Sequence, residues 1–172
     1  MHNCGLHQSK DGIKLTRMVQ SLGSQEAVAL VWWSRMNEKG QIMGALCRRL
    51  ELPLGALEVE AKAVEEGVQF ARDLSLGQIV IKCDSQVVVS SLCKQGLMQS
   101  SVQKVVEGTR LGLRWFAAWE VAHTRRGCNS AAHIMARHAK FVNECDIWVE
   151  DTPPMIVDQV LNDVSCMAPI SV

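Results

Sequence analysis

Residues 79–92 read IVIKCDSQVVVSSL, and this stretch decides the fold. A short apolar strand ends directly before Asp84, and a new apolar pattern with helical spacing begins at once. Ser85 is able to cap that helix and Gly96 to end it. Asp84 therefore has two interpretations: it caps the helix, or it faces a cleft as a metal ligand while Ser85 takes the cap.

The segments on either side complete an α/β pattern. Upstream, the predicted elements are a strand over residues 27–34, turn residues 37–40, a second strand over 41–50 and a helix over 54–74. Downstream, they are a helix over 102–111, a strand over 114–123 and a helix over 129–142. A hairpin followed by strands that helices return to the sheet predicts an α/β domain with a mixed sheet.

Length and composition limit the class of protein. A chain of 172 residues suits one domain with a sizeable core, and its net charge of zero gives no chain-wide basic surface for nucleic acid. The seven cysteines form no C-x-x-C pair, so we expect reduced thiols, no disulfide partners and an intracellular protein. Apolar runs such as residues 27–33 are far shorter than the roughly 20 residues that span a bilayer, so we expect a soluble protein without a membrane partner.

Three segments place polar residues where chemistry would need them. Glu60 lies in the helical segment LEVEAKAVEEG, Asp84 ends a strand, and VAHTRRGCNSAAHIMARHA passes from a strand into a helix. This ordered set resembles the ribonuclease H-like superfamily, and more closely its plant reverse-transcriptase-like branch, over residues 26–145. The tail WVEDTPPMIVDQVLNDV is also similar to the ending of such plant modules. The resemblance implies a three-layer α/β fold with a mixed five-stranded sheet flanked by helices.

The resemblance also implies a metal-dependent endonuclease that hydrolyses the RNA strand of RNA–DNA hybrids, with Mg²⁺ as cofactor. Magnesium prefers oxygen ligands, and two such ions can activate a water and stabilise the leaving oxygen of a phosphodiester. The residues implied are Glu60 and Asp84 as catalytic metal ligands, His133 as a further catalytic residue, and Ser85, His123, Arg125, Arg126 and Asn129 as contacts to nucleic acid. For each, the structural alternative stays open: a solvated helix residue, a helix cap or a satisfied histidine.

His133 replaces the fourth carboxylate of the family pattern, in which Arg126, Asn129 and Ala132 match. A neutral imidazole suits Mn²⁺ better than Mg²⁺, and it is able to move protons near neutral pH. The alternative interpretation is a partly exposed histidine at a helix start, without a role in the reaction.

The first family carboxylate has no match in the sequence. It belongs to an Asp-Gly pair on the first strand, and the family spacing reaches residues 16–17, where no acid stands. Asp11 precedes Gly12 but lies several residues too early, so it is a weak candidate metal ligand. The segment around Leu15, Met18 and Val19 fits a helix face as well as a strand, so the first strand is ambiguous or degenerate.

Three functional hypotheses follow from this pattern. The first is the hybrid-specific ribonuclease, the second is a catalytically impaired module that binds nucleic acid, and the third is a non-enzymatic remnant of a mobile element. The predicted division is a divergent segment over 1–24, a ribonuclease H-like domain over 25–145 and a tail with a short helix over 146–172. We expect a monomer that binds an RNA–DNA hybrid or another nucleic acid, in the nucleus or the cytoplasm.

Overall fold

The structure, a computed structural model, describes residues 14–21, 27–35, 44–49, 55–93, 100–125 and 130–159. Within them the chain forms strands Lys14–Ser21 (β1), Ala27–Arg35 (β2), Gly44–Arg49 (β3), Gln78–Cys83 (β4), Ala118–His123 (β5) and Cys145–Val149 (β6). The helices are Ala56–Asp73 (α1), Gln86–Cys93 (α2), Ser100–Leu113 (α3) and Ser130–His138 (α4). Short 3₁₀ turns cover Ala139–Phe141 and Pro154–Ile156.

All six strands belong to one mixed sheet in the order β5-β4-β1-β2-β3-β6. The run from β1 through β2 and β3 to β6 is antiparallel, whereas β4 is parallel to both β1 and β5. The mixed sheet flanked by helices is thus confirmed. The five predicted strands are joined by a sixth, because residues 145–149 pair with β3 at the start of the predicted tail.

The ambiguous first segment is a strand that occupies the centre of the sheet. β1 lies between β2 and β4, so both of its edges are hydrogen-bonded. Two-sided pairing supplies a ladder of backbone hydrogen bonds that outweighs the weak strand pattern of KLTRMVQS. The sequence left the first strand ambiguous or degenerate, and the structure places a strand here, although β1 carries no carboxylate.

Two apolar clusters on opposite faces of the sheet create three layers. The larger cluster unites α1, α2 and α3 with Leu46, Ile79 and Ile81, and the smaller unites α4 with Ala45 and Cys47. Alternate residues of β3 face opposite layers because strand side chains alternate. Burying a side chain the size of isoleucine stabilises the fold by roughly 1.5–3 kcal/mol. Among the described residues, no helix is long and apolar enough to cross a membrane.

The predicted apolar face of α1 is confirmed. Ala61, Val64, Val68 and Ala71 are all buried, at the steps of three and four that the sequence shows. The first turn of α1 is closed by Glu58, whose carboxylate accepts a hydrogen bond from the backbone N–H of Gly55 at 2.7 Å. That bond satisfies one of the donors that a helix start leaves unpaired.

Two glycines of α3 set how closely it packs on α1. A Cβ at Gly112 would lie 2.9 Å from Cγ1 of the buried Val68, and a Cβ at Gly108 would lie 2.9 Å from Oε1 of Glu65. The two sites differ in what must move. Glu65 has a flexible end at a half-buried position, whereas Val68 is β-branched and 2% exposed.

We expect substitution by alanine to change the free energy of unfolding in opposite directions at these two glycines. Gly108→Ala gains helix propensity and should raise the free energy of unfolding by up to about 1 kcal/mol as Glu65 swings aside. Gly112→Ala overpacks the core against Val68, so it should lower the free energy of unfolding by about 1 kcal/mol or more even after the gain in helix propensity. Urea unfolding of both variants tests this, and equal shifts would contradict the packing argument.

Cys47 joins β3 to α4 in the smaller cluster. Its side chain is fully buried, and its Sγ donates a hydrogen bond to the backbone carbonyl of Met135 at 3.3 Å. Burial, followed by the negative charge of Asp146 and the neighbouring Cys145, raises the pKa of the Cys47 thiol from 9.0 to about 12. The folded protein therefore keeps this proton at pH values where the unfolded chain loses it.

This pKa predicts a loss of stability in alkali. The contribution of the protonated thiol is fully present below pH 9 and is lost as the pH rises towards about 12. In that window the wild type should lose about 1.4 kcal/mol per pH unit more than Cys47→Ala does. Urea unfolding between these limits measures both slopes, and the variant cancels the contribution of every other group. Parallel slopes would show that the thiol does not titrate in this way.

Candidate functional site

Asp84 directly follows the last residue of β4, at the carboxyl end of the strand. Its Oδ1 atom is buried and has no hydrogen-bond partner within the part of the chain that the structure describes. A buried polar atom left unpaired costs about 1–3 kcal/mol, and more when the group is charged. The fold therefore holds at this point a buried oxygen acceptor that its own described residues do not satisfy.

The start of α2 does not use the Asp84 carboxylate. Ser85 caps this helix instead: its Oγ accepts a long hydrogen bond of 3.5 Å from the backbone N–H of Val88. Its carbonyl also accepts the N–H of Val89 at 3.0 Å, which is the first bond of the helix. Of the two interpretations that the sequence left open for Asp84, the structure thus excludes the helix cap.

The neighbouring strand end is tied to Asp84 through its backbone. His123 ends β5, and its Nε2 lies 3.2 Å from the backbone carbonyl oxygen of Asp84. Because a carbonyl only accepts, this bond requires the proton on Nε2 and leaves Nδ1 as the acceptor nitrogen of a neutral ring. The N–H of Thr124 donates to the carbonyl of Cys83 at 3.0 Å, so a second bond holds the two strand ends together. The exposed ring of His123 thus positions Asp84 while it faces solvent.

The other predicted site residues lie on the elements that the sequence assigned to them. Glu60 is half-buried in α1 beside the buried Ala61, and His133 is half-buried in α4 beside the buried Ala132. Arg125 is exposed just after β5. Asp11, Arg126 and Asn129 lie outside the described residues. The roles of all these residues in metal and nucleic-acid binding stay predictions.

The described residues hold no group of three or more histidine, cysteine, aspartate or glutamate side chains arranged to bind one metal ion. The composition of β1 bears directly on this, because KLTRMVQS places no acid beside β4. The register pairs Val19 with Cys83; Gln20 is the next residue of β1, and Asp84 is the next residue after β4. The register pairs residues 16 and 17 with Val80 and Ile81, inside β4, and the position of the first carboxylate stays a prediction. Sequence spacing alone carried no signal for Gln20, since strand register depends on pairing partners distant in the chain.

The side chain of Asp84 suits a hard divalent cation, and the other candidate ligands suit it less well. The unpaired Oδ1 of Asp84 is the type of ligand that Mg²⁺ and Mn²⁺ prefer. Glu60 and His133, which the sequence predicts as an oxygen and a nitrogen ligand, do not form such a group of three with Asp84 among the described side chains. The sequence of β1 contains no acid, and an amide such as that of Gln20 is a neutral and weaker ligand than a carboxylate.

Comparison with known proteins identifies the family and the fold of the chain. The family model described as reverse transcriptase-like matches residues 21–139. The match begins at the last residue of β1, so the family pattern does not extend over the rest of that strand. A search of curated protein sequences finds no match to the chain.

Solved structures share the fold at low sequence identity. Ribonuclease H1 from the halophilic archaeon Halobacterium salinarum is 20% identical, with a TM-score of 0.64 over 75% of this chain and 97% of that one. The N-terminal ribonuclease H domain of Rv2228c from Mycobacterium tuberculosis is 15% identical, with a TM-score of 0.63 over 74% of this chain and 94% of that one. The family match and these neighbours together show that the chain belongs to the reverse transcriptase-like family and has the ribonuclease H-like fold.

Proposed function

We propose that this protein binds RNA–DNA hybrids and hydrolyses their RNA strand in a reaction that depends on a divalent cation. The observation that carries the proposal is the buried Oδ1 of Asp84, which has no partner among the described residues and stands at the carboxyl end of a central strand. Membership of a ribonuclease H-like family supports the choice of substrate. The plant branch is part of the proposal and rests on the sequence resemblance.

The candidate site residues divide into those that hold the cation, those that contact nucleic acid and one that positions Asp84. Asp84 and Glu60 hold the cation through their carboxylates, and His133 binds it or moves a proton near neutral pH. Arg125 contacts phosphate, with Arg126 and Asn129 following it in the sequence. When bound, Mg²⁺ or Mn²⁺ polarises the phosphodiester and lowers the pKa of a water. His123 holds the Asp84 backbone in place by the bond described above.

Cleavage of a labelled hybrid by the full chain tests the proposal. We expect cleavage of the RNA strand with Mg²⁺ or Mn²⁺ and none after chelation, while matched double-stranded DNA stays intact. Faster cleavage with Mn²⁺ than with Mg²⁺ would support a nitrogen ligand at His133. Failure to bind the hybrid at all would overturn the proposal. We place the activity inside the cell, because the seven cysteines indicate a reducing compartment.

A binding module without hydrolysis is the alternative that the sequence left open. β1 has no carboxylate, so the strand beside Asp84 offers less negative charge to hold cations. Tight hybrid binding that persists without divalent cations, together with no cleavage under any metal, would establish this candidate. The two candidate functions therefore predict different results for cleavage of the hybrid and the same result for binding of the hybrid.

A further inference from the structure

β6 forms one outer edge of the sheet and pairs with β3 alone among the described strands. The N–H of Arg49 donates to the carbonyl of Glu144 at 3.1 Å, which identifies these opposed residues as a hydrogen-bonded pair. Such pairs alternate along an antiparallel ladder, so Asp146 and Trp148 also bond to β3. The backbone N–H and C=O groups of the intervening residues, Cys145, Ile147 and Val149, therefore point away from the sheet.

The two faces of this edge differ in chemistry. Ile147 lies opposite Leu46 on the face that α1 covers further in, but Ile147 and Val149 are each 54% exposed. On the other face, Asp146 accepts a hydrogen bond from His138 at 3.0 Å. Exposed apolar side chains beside unpaired backbone groups are what an edge strand offers to an added strand.

Negative charge surrounds the same edge. Residues 143–152 contain four carboxylates and no lysine or arginine: Glu144, Asp146, Glu150 and Asp151. Arg48 on the neighbouring strand is engaged by Glu66 of α1 at 2.7 Å. A strand that binds to this edge of β6 therefore meets apolar side chains on one face. It meets carboxylates on the opposite face or at the two ends of β6.

Charge also argues against a second copy of the chain as the occupant. In an antiparallel pair of β6 strands centred on Ile147, Glu144 of each copy would stand opposite Glu150 of the other. Like charges directly opposite each other destabilise a strand pair. A basic partner removes this repulsion and replaces it with attraction.

We propose that the outer edge of β6 binds an extended, basic peptide segment by strand addition. Its alternate residues are apolar and lie beside Ile147 and Val149, and the residues between them are lysine or arginine and face the carboxylates. The edge is four strands away from β4, or about 19 Å at the usual strand spacing. Peptide binding therefore leaves the candidate hybrid site accessible.

Fluorescence anisotropy with two labelled heptapeptides tests the proposal on the full chain. One probe alternates lysine with valine, and its matched control alternates glutamate with valine. We expect the basic probe to bind in the micromolar range, more weakly at high salt, with no displacement by an RNA–DNA hybrid. Equal binding of both probes, or binding of neither, would overturn the proposal.

Two sets of variants separate strand addition from simple charge attraction. Ile147→Pro removes an outward N–H without removing a bond to β3, so we expect at least about a tenfold loss of affinity, whereas Ile147→Thr should keep most of it. If the proline variant does not fold, the double variant Glu144→Lys, Glu150→Lys decides: its preference should reverse towards the acidic probe. Unchanged binding in these variants would refute the proposal. A wild-type dimer that Ile147→Pro dissociates would assign the edge to a second copy and would also refute it.

Discussion

Asp84→Asn should reduce cleavage of the RNA strand by about 10³-fold or more, and it should leave the fold intact. A loss of that size corresponds to about 4 kcal/mol of transition-state stabilisation. The reason is that asparagine keeps the shape of the side chain but lacks the charge that holds a divalent cation. The backbone bonds that surround the position, from His123 and Thr124, do not depend on the carboxylate.

Stability should move in the opposite direction. The Oδ1 atom of Asp84 is buried and unpaired among the described residues, so replacing the carboxylate with a neutral amide removes a desolvation cost. We expect the free energy of unfolding to rise by about 1 kcal/mol. A site that is kept at a cost to stability is the expected signature of a functional group.

The measurement combines single-turnover cleavage, thermal unfolding and binding of Mn²⁺ followed by electron paramagnetic resonance. Asp73→Asn is the matched control, because it makes the same chemical change at an exposed residue at the end of α1. The control should keep both activity and metal affinity. Wild-type cleavage by Asp84→Asn, or undiminished Mn²⁺ binding, would remove Asp84 from the site.

Gln20→Asp should strengthen metal binding and raise the cleavage rate by at least about tenfold. Gln20 follows Val19 on β1, Asp84 follows Cys83 after β4, and the register pairs Val19 with Cys83. A carboxylate on this strand adds negative charge that β1 lacks, and negative charge favours a bound cation. The tenfold gain corresponds to about 1.4 kcal/mol.

Gln20→Asn is the control, because it changes side-chain length without adding charge. Mn²⁺ titration and cleavage of the labelled hybrid should separate the two variants. If the wild type binds hybrid without cutting it, cleavage by Gln20→Asp would show that the missing charge alone blocks the reaction. Identical behaviour of the two variants would place the first ligand elsewhere or show that the site does not need it.

Much of the fold could be predicted from the sequence because helices and strand ends leave local patterns in it. The spacing of Ala61, Val64 and Val68 defined the buried face of α1, and the change of pattern at Asp84 marked the strand end. The strand character of β1 could not be predicted in this way, since its pattern is mixed and its stability comes from partners on both sides. The same holds for β6, whose pairing with β3 joins residues about a hundred positions apart.

For the candidate site, the sequence predicted which residues take part, and the structure added their burial and their hydrogen-bond partners. The competition between Asp84 and Ser85 for the helix cap was visible in the sequence, but only geometry decides it in favour of Ser85. The bond from His123 to the Asp84 carbonyl links residues 39 positions apart, so no local pattern reveals it. The position of Gln20 relative to β4 depends on the parallel register of β1 and β4, which joins residues distant in the sequence.

The central place of β1 has a consequence for biosynthesis. β1, β2 and β3 are neighbours in sequence, but Val19 of β1 also pairs with Cys83, and the ribosome adds that residue 64 positions later. The interval between the end of β3 at Arg49 and Cys83 is 34 residues, or about 2–7 s at about 5–20 residues per second. During it, the nascent meander exposes a bare inner edge that another nascent chain is able to pair with. Chaperone occupancy on translating ribosomes should therefore rise after β3 emerges and fall once β4 has docked.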